Sequence, residues 1–70
     1  MRAFRVGDQF KGNHTAMLAE VVWVDPRDHF KAVIHCMKGS AIEFVDQTVF
    51  ASQFLGHWSL TKEGPISQAA

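Results

Sequence analysis

The chain lacks the features of several specialised protein classes. Its single cysteine, Cys36, has no partner for an intramolecular disulfide, so we expect a reducing compartment. Charge of one sign is also missing, because seven lysines and arginines balance seven acids. This balance is unlike the basic excess of a dedicated nucleic-acid binder. The chain's 70 residues allow one small domain, and a hydrophobic content of 47% is too high for an intrinsically disordered chain.

Long apolar runs are absent as well. The longest uncharged run before the C-terminal region, residues 47–61, contains Gln, Ser, His and Gly. It is too short and too polar for a membrane span, which needs about 18 apolar residues. Two arginines lie near the N-terminus, but Gly7 and Asp8 follow before any apolar stretch, which argues against a secretory signal. We therefore expect a cytoplasmic protein that does not contact a membrane.

Motifs for metal binding or catalysis are missing too. The four histidines, His14, His29, His35 and His57, are far apart and form no pair at metal-ligand spacing. His35 and Cys36 are adjacent, so on a strand their side chains would point to opposite faces. A catalytic cysteine would also need a cleft and an oxyanion site, for which this chain has little room. We expect no metal, no cofactor and no enzymatic activity.

Three apolar runs predict β-strands: Ala16 to Asp25, His29 to Met37 and Ala41 to Asp46. Each is rich in Val, Ile or Phe and is bounded by turn-forming residues, and no ten-residue helical pattern competes with them. Pro26 directly follows Asp25, as in many turns, so the first two runs predict a hairpin.

Shorter segments complete the predicted domain. Residues 4–10 predict an N-terminal strand, and residues 57–60 predict a short last strand. Between them, residues 48–54 predict one helical turn with Thr48 as its N-cap. The polar residues 61–70 predict a flexible C-terminal tail.

The loop length decides which face of the hairpin is apolar. A two-residue loop would place Trp23 opposite Phe30 and would keep Glu20 beside Lys31 on the other face. A three-residue loop, which the turn sequence Asp25-Pro26-Arg27-Asp28 favours, would put Glu20 on the face of Ile34, because a one-residue slip exchanges faces. We favour the two-residue loop. This loop places Val21 opposite Ala32 and Ala19 opposite Ile34, and the next strand then places Cys36 opposite Ile42 and Ile34 opposite Phe44. The resulting core face is apolar throughout and consists of Met17, Ala19, Val21, Trp23, Phe30, Ala32, Ile34, Cys36, Ile42 and Phe44.

Five short strands with one helical turn before the last follow the plan of SH3-like barrels. Val6-Gly7-Asp8-x-Phe10 resembles the Gly-Asp opening of small SH3-like, KOW-like and Tudor-like domains, and residues 19–25 resemble their second strand. Gly39 resembles the tight turn that follows. The resemblance covers residues 4–60 and extends to small proteins of bacterial and phage open reading frames. It implies an all-β fold, a single five-stranded antiparallel SH3-like barrel at residues 1–60, with the tail at residues 61–70.

Apolar side chains in excess of the core indicate a partner surface. Val22, Val24 and Val33 project from the mixed face of the predicted hairpin, and Trp58 lies near a terminus; these four are the candidate partner-binding residues. In the alternative interpretation they form the second wall of a curled barrel. We expect a non-enzymatic interaction module that binds a protein partner or forms a homo-oligomer. Its phage-like size suggests a modulator of a larger host complex.

Nucleic-acid binding is the alternative function. Domains of the KOW and Tudor type often bind nucleic acid, and Arg2, Arg5 and Lys11 cluster near the N-terminus with aromatic Phe4 and Phe10 between them. Arg2, Arg5, Lys11 and Phe10 are the candidate residues for that function. The remaining basic residues are scattered among acids, whereas phosphate binding depends on many cationic contacts. We therefore favour a protein partner.

Overall fold

The computed structural model describes residues 2–38 and 46–65 and shows a mostly β fold. Its elements are β1 (Gln9–Gly12), β2 (Leu18–Asp25), β3 (Asp28–Lys38), β4 (Asp46–Phe50), α1 (Ala51–Phe54) and β5 (Trp58–Lys62). The strands form one antiparallel sheet in the order β4-β3-β2-β1-β5. Five antiparallel strands with one short helix before the last strand are thereby confirmed. In the described residues the sheet is not closed, so a barrel is not shown; no helix there is long and apolar enough to cross a membrane.

The β2–β3 hairpin has the predicted two-residue loop, because Asp25 pairs with Asp28 across Pro26 and Arg27. Two carboxylates fix the turn. Asp25 accepts a hydrogen bond of 2.8 Å from the amide of Arg27, and Asp28 accepts one of 3.0 Å from the amide of Phe30. Aspartate side chains commonly bond the backbone two residues ahead in this way, and the short polar segment therefore turns the chain tightly.

Beyond the loop, irregularities change the register that the sequence predicts. Val24 lies opposite Ala32, and Trp23 lies opposite Val33. Val21 then lies opposite Ile34, so Val22 is an extra residue on β2 and forms a β-bulge. The bulge leaves Val22 and Trp23 both exposed and returns Val24 to the core side.

Several predicted pairings are wrong, because residues 29–31 of β3 lie between the Asp25–Asp28 and Val24–Ala32 pairs and Val22 is an extra residue on β2. Val21 lies opposite Ile34 instead of Ala32, and Ala19 lies opposite Cys36 instead of Ile34. Glu20 lies opposite His35 instead of beside Lys31. The side chains of Trp23 and Phe30, which we expected in the core, are 46% and 41% exposed. Regular alternation from the loop cannot account for a strand that contains an extra residue.

The core has an aliphatic part and an aromatic part. The aliphatic part confirms the predicted face, with Ala19, Val21, Ala32 and Ile34 at most 1% exposed and Cys36 also buried. The aromatic part consists of Phe4, Phe10 and Phe54, whose ring centroids lie 5.0–6.0 Å apart in edge-to-face geometry. Phenylalanines from the N-terminal segment, β1 and α1 therefore supply the buried aromatic rings, whereas Trp23 and Phe30 are exposed.

The fourth strand lies later in the chain than predicted. Gln47 of β4 pairs with Ile34 and Thr48 pairs with Val33, so the predicted pairing of Ile34 with Phe44 is wrong. Thr48 is a strand residue, and the helix N-cap is Phe50, which makes no side-chain cap hydrogen bond. The predicted strand residues 41–45, with Ile42 and Phe44, and the turn residue Gly39 lie outside the described residues.

Asp8 joins the two ends of the described chain. Its carboxylate is fully buried and accepts four hydrogen bonds: two from the Arg2 guanidinium at 2.8 and 3.2 Å, one from the Arg5 amide at 2.8 Å and one from the Gly64 amide at 2.7 Å. Burial opposes ionisation of the carboxyl, but these hydrogen bonds together outweigh it and lower the pKa of Asp8 below its ordinary value. Asp8 is therefore a charged structural centre of the domain.

The backbone around Asp8 requires two glycines. Gly7 has φ +93°, in the left-handed region that favours glycine. A β-carbon at Gly64 would overlap the carbonyl oxygen of Val6.

The contact of Gly64 with Asp8 also explains why the domain extends further along the chain than predicted. β5 continues to Lys62 and Gly64 is buried, whereas the sequence predicts a tail from Thr61.

Candidate interaction surface

An apolar patch lies on the side of the sheet that faces away from the core. Val22 and Trp23, at the β2 bulge, are 45% and 46% exposed, and Phe50, on β4, is 47% exposed. Half-buried Val33, on β3, lies opposite Trp23. We call these residues (Val22, Trp23, Val33 and Phe50) the outer-face patch.

One side of the patch carries a row of polar and charged side chains across three strands. Glu20 lies opposite His35, and His35 lies opposite Asp46. The Nδ1 atom of His35 is 2.7 Å from Oδ1 of Asp46, within hydrogen-bond distance. The side chains of His35 and Asp46 are exposed, so the row forms a solvated border beside the apolar residues.

The other side of the patch carries a second charged row. Lys31 lies opposite Phe50, and its ammonium nitrogen is 5.8 Å from the centre of the Phe50 ring, within the range of a cation–π contact. The same nitrogen is 3.9 Å from Oδ2 of Asp25. The Lys31 ammonium group therefore lies near both the exposed Phe50 ring and the Asp25 carboxylate.

Two of the four predicted partner-binding residues belong to the patch. Val22 and Val33 lie on it as expected, but Val24 faces the core, because the bulge reverses the alternation of β2. Half-buried Trp58 stacks on Phe54, with ring centroids 5.0 Å apart. It lines a small cavity of about 170 Å³ that has no residue of β2 in its lining but includes Phe50 of the patch.

Trp23 and Phe50 are not among the four predicted partner-binding residues. Alternation places Trp23 in the core face, and the predicted helical turn includes Phe50. One available signal was the run of four apolar residues, 21–24, in a strand that has only one apolar face to bury. A run of this kind permits a bulge, although it does not show where the bulge lies.

The candidate nucleic-acid residues do not form a free cationic surface. Arg2 is bound to Asp8, and Arg5 lies 3.3 Å from Glu63. Phe10 is 1% exposed, so its ring is not available to stack on a base. Lys11 is exposed and lines a wide polar groove of about 670 Å³ between the β1–β2 connection and β5.

Cys36 is buried, as the sequence predicts, and within residues 2–38 and 46–65 no three potential metal ligands lie together.

Comparisons of the chain with protein-family models, with curated proteins and with solved structures found no match. The geometry of the described residues therefore carries the functional argument.

Proposed function

We propose that this protein is a non-enzymatic interaction module that binds a protein partner through the outer-face patch. The main support is the β2 bulge, which places Val22 and Trp23 on the solvent side although the chain already has a filled core. Phe50 adds a second exposed aromatic ring on the same side. Exposed aromatic residues surrounded by polar side chains are the usual composition of a protein interface centre.

Burial of the patch would contribute measurably to the binding of a partner. Complete burial of a large apolar side chain contributes roughly 1.5–3 kcal/mol. Trp23 and Phe50 are about half exposed, so a partner covering both would gain on the order of 2–3 kcal/mol from these two side chains. Val22 would add to this gain, and Val33 is already half-covered.

The order of elements supports an SH3-like fold for this module. Five antiparallel strands in the order β4-β3-β2-β1-β5, with a single helical turn before the last strand, agree with that plan. We propose that the sheet curls around the phenylalanine cluster, with the outer-face patch on its convex side. Nucleic-acid binding is not favoured, because Arg2 and Arg5 are already paired with acids.

Comparative affinity capture tests the proposal. Tagged wild-type protein, a Trp23→Thr/Phe50→Thr variant and a Val6→Thr variant are exposed to a lysate of the source cells. Threonine preserves β-propensity, and Val6 is a matched control because it is 45% exposed but does not lie on the patch. We expect the wild-type and Val6→Thr proteins to retain the same partner and the double variant to lose it. Equal retention by the double variant would rule out the patch as the binding surface.

A further inference from the structure

We infer that the segment bound by the outer-face patch is cationic as well as apolar and comes from a different protein, not from a second copy of this chain. This inference rests on the proposed function. It follows from the charges beside the patch, where three carboxylates (Glu20, Asp25 and Asp46) accompany one lysine, Lys31. The described border therefore carries more carboxylate groups than ammonium groups.

The carboxylates differ in how far their charge is already compensated. Asp25 has Lys31 at 3.9 Å, and exposed Asp46 has the imidazole of His35 at 2.7 Å. Glu20 makes no ion pair with the side chains that the structure describes. A purely apolar partner would remove water from this border without replacing its hydrogen bonds, which is costly for charged groups. Lysine or arginine on the partner would compensate that loss.

Trp23 gives a second reason for a cationic partner. Its exposed indole lies on the same face as Glu20, a few residues along β2. Indole is the best aromatic acceptor for a cation–π contact, and arginine or lysine stems also pack well on apolar surface. A basic side chain that reaches Glu20 would therefore cover part of the patch with its methylene groups.

Face-to-face pairing of two copies brings like charges together. Aligned sheets pack with their strands within about 30° of each other, so the rows of side chains remain opposed. With the two-fold axis along the strands, Glu20 faces Asp46 of the second copy. With the axis across the strands, Glu20 faces Asp25 and His35 faces Lys31 of the second copy. Like charges at an interface disfavour the wrong partner, so these arrangements argue against a homodimer through the patch.

Peptide titration of the full chain, followed by ¹⁵N–¹H NMR, tests the inference. The probes are three short peptides of equal length: alternating leucine and lysine, alternating leucine and glutamate, and alternating serine and lysine. We expect the leucine–lysine peptide to bind tightest and to shift the amide signals of Val22, Trp23, Val33 and Phe50. Added salt should weaken the binding, because the charged border is solvent-exposed.

Charge reversal provides the matched control. Glu20→Lys should lower the affinity for the leucine–lysine peptide by about fivefold or more. The same change should raise the affinity for the leucine–glutamate peptide. Glu63→Lys makes the same change in net charge far from the patch, beside Arg5, and should leave both affinities unchanged.

Three results would overturn the inference: preference for the leucine–glutamate peptide, absence of binding by all three peptides, or a dimer that Trp23→Thr/Phe50→Thr dissociates. The proposed function fails separately. If the peptides do not bind but the double variant still loses its captured partner, the patch remains the interaction surface and only the inferred partner chemistry is wrong.

Discussion

Both faces of the β2–β3 hairpin carry large apolar side chains, but only those of the inner face are buried. On the inner face Val21 and Ile34 are at most 1% exposed, whereas on the outer face Val22 and Trp23 are close to half exposed. Adjacent residues of the same strand therefore have opposite environments. The inner residues explain how the chain folds, and the outer residues require another explanation, because exposing apolar surface does not stabilise a folded chain.

The bulge at Val22 is the local cause of this difference. Without an extra residue, β2 would alternate strictly, and one of the two consecutive residues Val22 and Trp23 would point inward. With it, both point outward while Val24 still reaches the core. Bulges often re-aim side chains beside functional sites, which agrees with the proposed role of the patch.

The largest expected contrast is between two neighbours on β3. Ile34→Ala should lower the free energy of unfolding by about 3–4 kcal/mol, because it removes a fully buried side chain. Val33→Ala, on the outer face, should lower it by less than about 1 kcal/mol. Urea denaturation monitored by circular dichroism measures both. A loss of this size is a large part of the total stability of so small a domain, so Ile34→Val serves as the milder variant, with an expected loss of about 1 kcal/mol.

If Ile34→Val and Val33→Ala each lowered the free energy of unfolding by the same amount, and by more than about 1 kcal/mol, the difference between the two faces would be contradicted. The outer face would then be part of the core, as in the alternative that these side chains form a second wall of a curled barrel.

Asp8→Asn should have the next largest effect, because the buried Asp8 carboxylate joins the two ends of the described chain through charge and not through apolar packing. We expect a loss of about 2–3 kcal/mol at neutral pH, since the ion pair of Arg2 with the buried carboxylate is lost and an amide group accepts fewer hydrogen bonds. Among the acids that the structure describes, Arg2 then keeps only the Glu63 carboxylate, 4.0 Å away. Urea denaturation at a series of pH values measures the loss.

The pH dependence of this loss has a defined sign. The pKa of Asp8 is lower in the folded protein than in the unfolded chain, where it is about 4. Its stabilising contribution is therefore complete above the unfolded pKa and disappears as the pH falls through the folded pKa. The difference in the free energy of unfolding between the wild type and Asp8→Asn should therefore become smaller below about pH 4. A difference that grows on acidification would show that Asp8 is not held as a carboxylate.

Deletion of Val22 should have a smaller effect on the free energy of unfolding, and it tests whether the fold needs the bulge. The residues on either side of Val22 already pair in sequence with β3, so the deletion retains every pair. We expect the fold to persist with a loss of about 1 kcal/mol and reduced strand twist. NMR spectra should show changes confined to β2 and its neighbours. Global loss of dispersed signals would show instead that the fold depends on the extra residue.

The sequence predicts the inner face of the hairpin better than its outer face. The two-residue loop at Pro26 and Arg27 follows from the requirement for one apolar face, although the turn sequence alone favours a longer loop. The burial of Ala19, Val21, Ala32 and Ile34 follows from alternation around a common core. Both features depend on a single face that must be buried, and such a face can be recognised in one sequence.

The remaining differences depend on competition between distant segments. Phe4, Phe10 and Phe54 occupy the core in place of Trp23 and Phe30, and nothing local to each residue determines which aromatic side chain is buried. The hydrogen bond from Gly64 to Asp8 joins residues at opposite ends of the chain. The patch could be predicted only in part, since Val22 and Val33 follow from alternation but the position of the bulge does not.

Site-specific photo-crosslinking tests the central claim most directly. A photoreactive phenylalanine analogue is placed at Trp23 in one form of the full chain and at Val6 in another, and both are irradiated in the source cells. We predict a discrete adduct with another protein from position 23 and none from position 6. No adduct from position 23, or the same adduct from both positions, would contradict the assignment of the outer-face patch as the partner surface.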